Sequence, residues 1–458
     1  MSLRSFSALL HKDDFYGISQ KGLYSYRRRI NNHSLLKECG ASSCFRGWCL
    51  KYYLPNWLRI ILLVGLFVFL IGLFVANYSF VRQSPGGNDF LARWTGAHYW
   101  LVEGVNPYDE EVSLAAQTMI YGRPADPSKG EDIAHFVYPL PAMVFFGPFG
   151  FLPFPIARAI WMTIIEICLV VLGLIGLRLA RWSPDRFTQA AVILFSILWY
   201  HGARAVIIGQ FAVIEAVLIV IALLAIQREW DEAAGIVLAL TIAKPQMSFL
   251  IIPFVLIWSL RARRLKIVGW FLGVITVLIA GSLIALPSWP LGWLRQLLSD
   301  LSYTDLGSPI SILTSFLPGG GGVANLILTG LLSLYLLWEW IMAAGKGDPW
   351  FQWAAALTIV ITNLIAFRAG TTNFVVMLPA LLIIFKTWED RWGKGGLIAS
   401  LLTLLGLLVG LWALFLATVE GNVEHAVMYL PVPILTLIGL LWSRWWVINS
   451  TRLPRWED

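Results

Sequence analysis

The feature that most constrains this chain is a succession of uncharged apolar runs, many close to 20 residues long, the first of them at 60–80. A bilayer core is about 30 Å thick and takes about 20 apolar residues per helix, so such runs read as membrane-spanning helices. Composition agrees, since 58% of the 458 residues are hydrophobic and only 13% charged, against about a quarter charged in soluble domains. Mean hydropathy is +0.71. The formal charge of +7 does not point to nucleic acid, because the Lys and Arg fall in short clusters between apolar runs instead of on one basic face.

Those clusters set the expected topology. Residues 1–56 are polar and basic, with Arg27, Arg28 and Arg29 in a row and no cleavable leader, which holds the N-terminus in the cytoplasm. Segment 139–155 is apolar but carries Pro139, Pro141, Pro148, Pro153 and Pro155, so it reads as re-entrant. Spans follow near 156–177, 187–200, 206–226, 233–243, 247–260, 267–286, 323–343, 350–367, 374–385, 397–419 and 427–447. In this register Arg178, Arg181 and Arg186, then Arg261, Arg263, Arg264 and Lys266, then Lys386, Arg391 and Lys394, then Arg444, Arg452 and Arg455 all fall in the cytoplasm, as the positive-inside rule requires. The expectation is an all-α polytopic membrane protein, a bundle of about 12 helices with 11 to 13 as the range. Its parts are a cytoplasmic segment 1–56, one membrane domain at 57–447 and a cytoplasmic tail at 448–458. A Pro-limited piece at 309–318 reads as a second re-entrant element.

The loop at 81–138 then faces outward, and loops of this length are usually functional. Phe90, Trp94, Ala97 and Leu101 recur in it at helical spacing, which predicts an amphipathic surface helix over 89–103 with Asp89 at its start. The outer ends of spans and loops also collect His135, Tyr138, His201, Arg204, Gln210, Lys244, Gln246, Asp305, Arg368, Asn373 and His425. Ionisable groups at an interface are costly, so each is a functional candidate. Arg204, Lys244 and Arg368 suit an anionic phosphate; snorkelling to the interface is the competing role, one that Pro245 hinders for Lys244. Glu166, Glu215 and Glu339 lie within spans without a basic partner at helical spacing, which favours structural or cavity-lining roles. Most of the 23 Trp, among them Trp57, Trp182, Trp289, Trp293, Trp442 and Trp446, read as an aromatic belt. Cys39, Cys44, Cys49 and Cys168 form no zinc pattern and read as spectator thiols.

No phosphate-binding glycine loop, no His-Glu-x-x-His and no Ser-His-Asp context occurs, so nucleotide-driven, zinc-protease and serine-hydrolase chemistry drop away. One outer carboxylate suffices if it helps a hydroxyl attack a carbon whose leaving group is a phosphate held by cations. Such a single displacement inverts the attacked centre. Outside the membrane the activated donor is carried on a lipid. The rival class is a transporter or lipid flippase, which would show paired broken helices and midplane charges instead of one polar face and one long loop.

Three motifs in the loop carry a resemblance: Asn88-Asp89-Phe90, then Gly104-Val105-Asn106-Pro107-Tyr108-Asp109, then Tyr138-Pro139-Leu140-Pro141. Gly209-Gln210, Ala234-Gly235 and Ala243-Lys244-Pro245-Gln246 continue it. In this order, across 60–385, they resemble glycosyltransferase family 87 of the GT-C superfamily. The resemblance implies a GT-C-like bundle and a polyprenyl-phosphate-sugar-dependent transferase of a prokaryotic envelope, with mannose the first sugar to consider and a lipid or glycan as acceptor. It implies Asp89 as catalytic base and Lys244 with Arg204 at the donor phosphate. Arg368, at the outer end of its span, is a further phosphate candidate, and Asn106, Tyr108, His135, Tyr138, His201, Gln210 and Gln246 are the candidates for substrate binding. No tightly bound metal or other cofactor is implied. Related sequences often carry a His near Thr371-Thr372-Asn373-Phe374, absent here, which leaves the sugar and the acceptor open.

Overall fold

A computed structural model describes residues 55–84, 86–303, 307–366, 370–420 and 424–449, apart from the side chains of 301–303. Arg368 and Asp305, the three N-terminal cysteines, the basic segment before residue 55 and the tail with Arg452 and Arg455 lie outside the described residues. The chain divides into two compact units, Met1–Phe69 and Leu70–Asp458. The described part of the first is the opening of helix α1 (Asn56–Gln83), where Ile60, Leu63 and Phe67 are all exposed.

The second unit is built of helices. After α1 come α2 (Asn88–His98), continued by the wider π-helical turn Tyr99–Glu103, then α3 (Glu110–Tyr121) and α4 (Met143–Gly150). Next are α5 (Phe154–Leu179), α6 (Arg186–Leu198), α7 (Tyr200–Ile208), α8 (Ala212–Gln227), α9 (Asp231–Leu240) and α10 (Pro245–Ser248). The chain goes on through α11 (Ile251–Arg261), α12 (Leu265–Ala285), α13 (Trp289–Tyr303), α14 (Pro309–Ser315) and α15 (Gly321–Ala343). It ends in α16 (Trp350–Ile365), α17 (Leu378–Trp392), α18 (Lys394–Thr418) and α19 (Pro431–Ile448).

Among the described residues seven helices are long and apolar enough to cross a membrane, or eight if the pair α6 and α7, bent by 45°, counts as one span. The expected count of about 12 is therefore not reached on length. The difference lies in α8, α9, α11 and α16, which are 16, 10, 11 and 16 residues long. At 1.5 Å per residue the shortest of these covers about 15 Å, half a hydrocarbon core. Every residue of α16 from Trp353 to Leu364 is buried by its neighbours, whereas α11 is buried on one side, with Ile257 and Leu260 exposed. Segment 139–155 becomes a 3₁₀ turn, Leu140–Ala142, and the eight-residue α4 with Pro148 inside it, again below spanning length.

Two polar ends frame this apolar body. At one end Arg181 pairs with Asp348, Arg264 with Asp231, and Lys266 with Glu232, while the Leu179 carbonyl accepts from Gln227 and Gln352. These are the basic clusters that the sequence placed together. Within the body Asn77 donates to Thr163 and Glu166, at 3.0 and 2.8 Å, and Glu339 pairs with Arg444 of α19. Only Glu215 has both carboxylate oxygens buried without a hydrogen bond among the described glutamates. The tryptophans divide in the same way, Trp57 and Trp442 being exposed and Trp182 and Trp289 buried.

Candidate active site

The helix predicted at 89–103 forms; its first part is packed into the protein, while none of Tyr99–Glu103 is buried. Phe90, Leu91, Trp94 and Ala97 are all buried. Phe90 stacks on Trp161 with ring centroids 4.8 Å apart. The start of α2 is fixed from beneath: Arg158 donates to the Ser84 carbonyl at 2.9 Å and packs against Gly87, where an added Cβ would lie 2.5 Å from its Nε. Asp89 therefore sits in the first turn, where the helix dipole favours a negative charge.

Gly209 explains why a Gly-Gln pair belongs 120 residues later. It ends α7 with φ +74, and an added Cβ would lie 2.5 Å from Phe90 Cβ. Its carbonyl accepts from Trp161 Nε1 at 2.9 Å. This close approach brings Gln210 to Asp89, and Gln210 Nε2 donates to Asp89 Oδ2 at 2.9 Å.

Lys244 reaches the same point from a break between helices. Residues Thr241–Ala243 form a 3₁₀ turn and Pro245 opens α10. Proline bars the residue before it from helical backbone, and Lys244 accordingly has φ −128 and ψ 77. The Thr241 carbonyl freed by the break accepts from Ser248 Oγ at 2.7 Å, as membrane-embedded breaks require. Lys244 is 3% exposed, and its Nζ donates to Gln210 Oε1 at 2.7 Å. Burial pushes this ammonium down to about 7, with Asp89 pulling it up.

These residues wall a cavity of about 510 Å³. Asp89, His135, Tyr138, Arg204, Gln210, Lys244 and Gln246, all singled out in the sequence, line it together. His135 holds Ser113 and Ser299 at 2.8 and 3.3 Å, and burial lowers its pKa, which makes it a neutral hydrogen-bonding group at pH 7. Burial also pushes the Tyr138 phenol up to about 12. Three candidates stand apart from the cavity. Asn106 caps the backbone N–H of Tyr108 at 3.0 Å, and the buried Tyr108 donates to the Tyr138 carbonyl at 2.8 Å, so this pair braces the loop. His201 is fully buried among the rings of Trp199, Tyr200 and Phe374.

Several lining residues were not anticipated as site residues. Arg93 lies 3.5 Å from Asp89 one helical turn on and 4.8 Å from the Tyr138 ring centre; the i,i+4 spacing of acid and base was the signal available. Glu424 had no such signal. It accepts from Tyr200 at 2.7 Å and from Thr371 at 2.9 Å, and stands 3.6 Å from Arg204. Arg204 in turn donates to Tyr200 at 2.8 Å. Asp132 and Asp300 face the cavity from the loop and from α13, and Trp293 of α13 closes it by donating to the Val137 carbonyl at 3.0 Å.

A second cleft, of about 480 Å³, adjoins the first and shares Asp89, Asp132, Arg204 and Ile208 with it. Its other walls mix the polar Asn88 and Tyr200 with the apolar Ile207, Trp412, Phe415 and Val419. A carboxylate at the junction, with Arg93, Arg204 and Lys244 around it, has the parts for deprotonating a hydroxyl beside a group that leaves with negative charge.

No curated protein and no solved structure matches this chain. Residues 136–317 match the model of glycosyltransferase family 87, the family that the sequence motifs resemble; the matched part takes in Tyr138, Arg204, Gln210 and Lys244 and leaves Asp89 outside it.

Proposed function

We propose that the protein moves a sugar from a polyprenyl-phosphate-sugar donor to a lipid or glycan acceptor at the outer face of a prokaryotic plasma membrane, with inversion at the anomeric carbon. Mannose is the first sugar to test. Asp89 takes the proton from the acceptor hydroxyl as its oxygen bonds to the anomeric carbon. The bond from that carbon to the phosphate oxygen breaks, and the electron pair leaves with the polyprenyl phosphate. Arg93, Arg204 and Lys244 receive the phosphate charge, Arg204 being held in place by Glu424 and Tyr200. His135, Tyr138, Gln210 and Gln246 face the substrates from the same cavity.

The observation that carries this reading is the convergence, on one polar cavity, of a carboxylate at a helix N-terminus and three cations from separate elements. The adjoining cleft, with Ile207, Trp412, Phe415 and Val419 in its lining, offers apolar surface for a lipid chain. The test is sugar transfer from a polyprenyl-phosphate donor by purified protein, with Asp89→Asn alongside. Removing a general base costs about 100- to 10,000-fold, so the variant is expected to retain at most about a hundredth of wild-type kcat. Equal turnover would rule out Asp89 as the base, and no transfer of any lipid-linked sugar by the wild type would favour a transporter.

A further inference from the structure

The hydrogen bonds from Lys244 to Gln210 and from Gln210 to Asp89 can run in only one direction. An ammonium only donates and a carboxylate only accepts. The Gln210 amide must therefore turn its oxygen to Lys244, at 2.7 Å, and its NH₂ to Asp89 Oδ2, at 2.9 Å. Its backbone is fixed as well, by the left-handed Gly209 beneath Phe90 and by the Gln210 N–H donating to the Ala205 carbonyl at 2.8 Å. The other carboxylate oxygen, Oδ1, has the long contact to Arg93, 3.5 Å.

We propose that Gln210 is a positioning residue which, oriented by Lys244, occupies Oδ2 of Asp89 and leaves Oδ1 as the oxygen that takes the acceptor's proton. The inference rests on Asp89 being the base. Lys244 then acts on the reaction in two ways, by its charge near the leaving phosphate and by setting which end of an amide Asp89 meets. Asp89 is faced by Arg93 from its own helix, by Arg204 from α7, by Lys244 from the break before α10 and by Asp132 from the loop. Gln210 is the neutral group among these, and it binds one oxygen without adding charge.

Three variants test this: Gln210→Met, which keeps bulk and removes both hydrogen bonds, Gln210→Glu, and Gln210→Met combined with Lys244→Met. Gln210→Met is expected to lower kcat about tenfold to a hundredfold, the scale of a misplaced catalytic group, with donor KM within about twofold. Gln210→Glu places a second carboxylate against Asp89, and like charges favour protonation, so the acid limb of its pH–rate profile moves to higher pH. The double variant is expected to turn over no slower than Lys244→Met alone, since groups acting through one another are not additive. A mere substrate contact would instead raise KM, leave the pH profile in place and add its loss to that of Lys244→Met, and that set of results overturns the proposal. An experimental structure of Gln210→Met gives a reading free of activity. If Asp89 keeps its rotamer there, positioning by Gln210 is refuted; if the carboxylate turns while the wild type transfers nothing, the proposed reaction fails and the positioning stands.

Discussion

Burial pushes the Lys244 ammonium down to about 7 against the upward pull of Asp89 and Glu215, so its charge is lost as pH rises through neutrality. Both of the roles proposed for it need the proton, as a cation near the phosphate and as the donor that orients Gln210. The rate is accordingly expected to fall as pH rises through about 7, and Lys244→Arg, which stays charged, is expected to lose that limb in a pH–kcat measurement even where its activity is lower overall. A limb unchanged in the variant would remove Lys244 as its source. The place of Asp89 at a helix start was legible from spacing, while its reading as a base came with the resemblance; Lys244 stood out as a charge stranded before a proline. Glu424 was not, because its partners Tyr200 and Thr371 lie far from it in the chain and a lone glutamate before a span carries no period. His201 reads in sequence as a polar group at the outer end of a span; its burial depends on Phe374 of the distant 3₁₀ segment closing over it beside its neighbours Trp199 and Tyr200.

The elements that hold the site are the short ones. Ends of α2 and α7, the break before α10 and the 3₁₀ segment Thr371–Met377 each contribute lining residues, whereas the long apolar helices mostly supply the packing around them. Gly209 is the joint between two of these ends. Gly209→Ala is expected to destabilise the protein by about 1–2 kcal/mol from its left-handed backbone alone, and by more because its Cβ meets Phe90 at 2.5 Å. A drop in the thermal midpoint in detergent checks this, and an unchanged midpoint would contradict the packing described here. Hydropathy located helices at the expected places, whereas their lengths support seven or eight spans among the described residues, since a run of 10 to 16 apolar residues reads alike in a lipid-facing helix and in one wrapped by neighbours. The prolines at 139–155 were the better guide, for they break the backbone wherever it lies.

Over the whole second unit, polar groups collect at two ends of an apolar body, one end paired off in ion pairs such as Arg181 with Asp348 and the other arranged around open space. The proposed donor would enter such a body from the membrane. A water-soluble, short-chain analogue of the polyprenyl donor is then expected to show a KM raised by about tenfold or more, since each buried CH₂ contributes about 0.8 kcal/mol, and equal KM for both chain lengths would argue against the second cleft as the lipid's place. Asp89 and Arg204 stand in the wall common to the two clefts, and this has a kinetic meaning. If donor and acceptor each take one cleft, neither blocks the other's arrival, and initial rates are expected to give intersecting double-reciprocal lines with either substrate able to bind first. A compound that fills one cleft then competes with one substrate and leaves the KM of the other untouched.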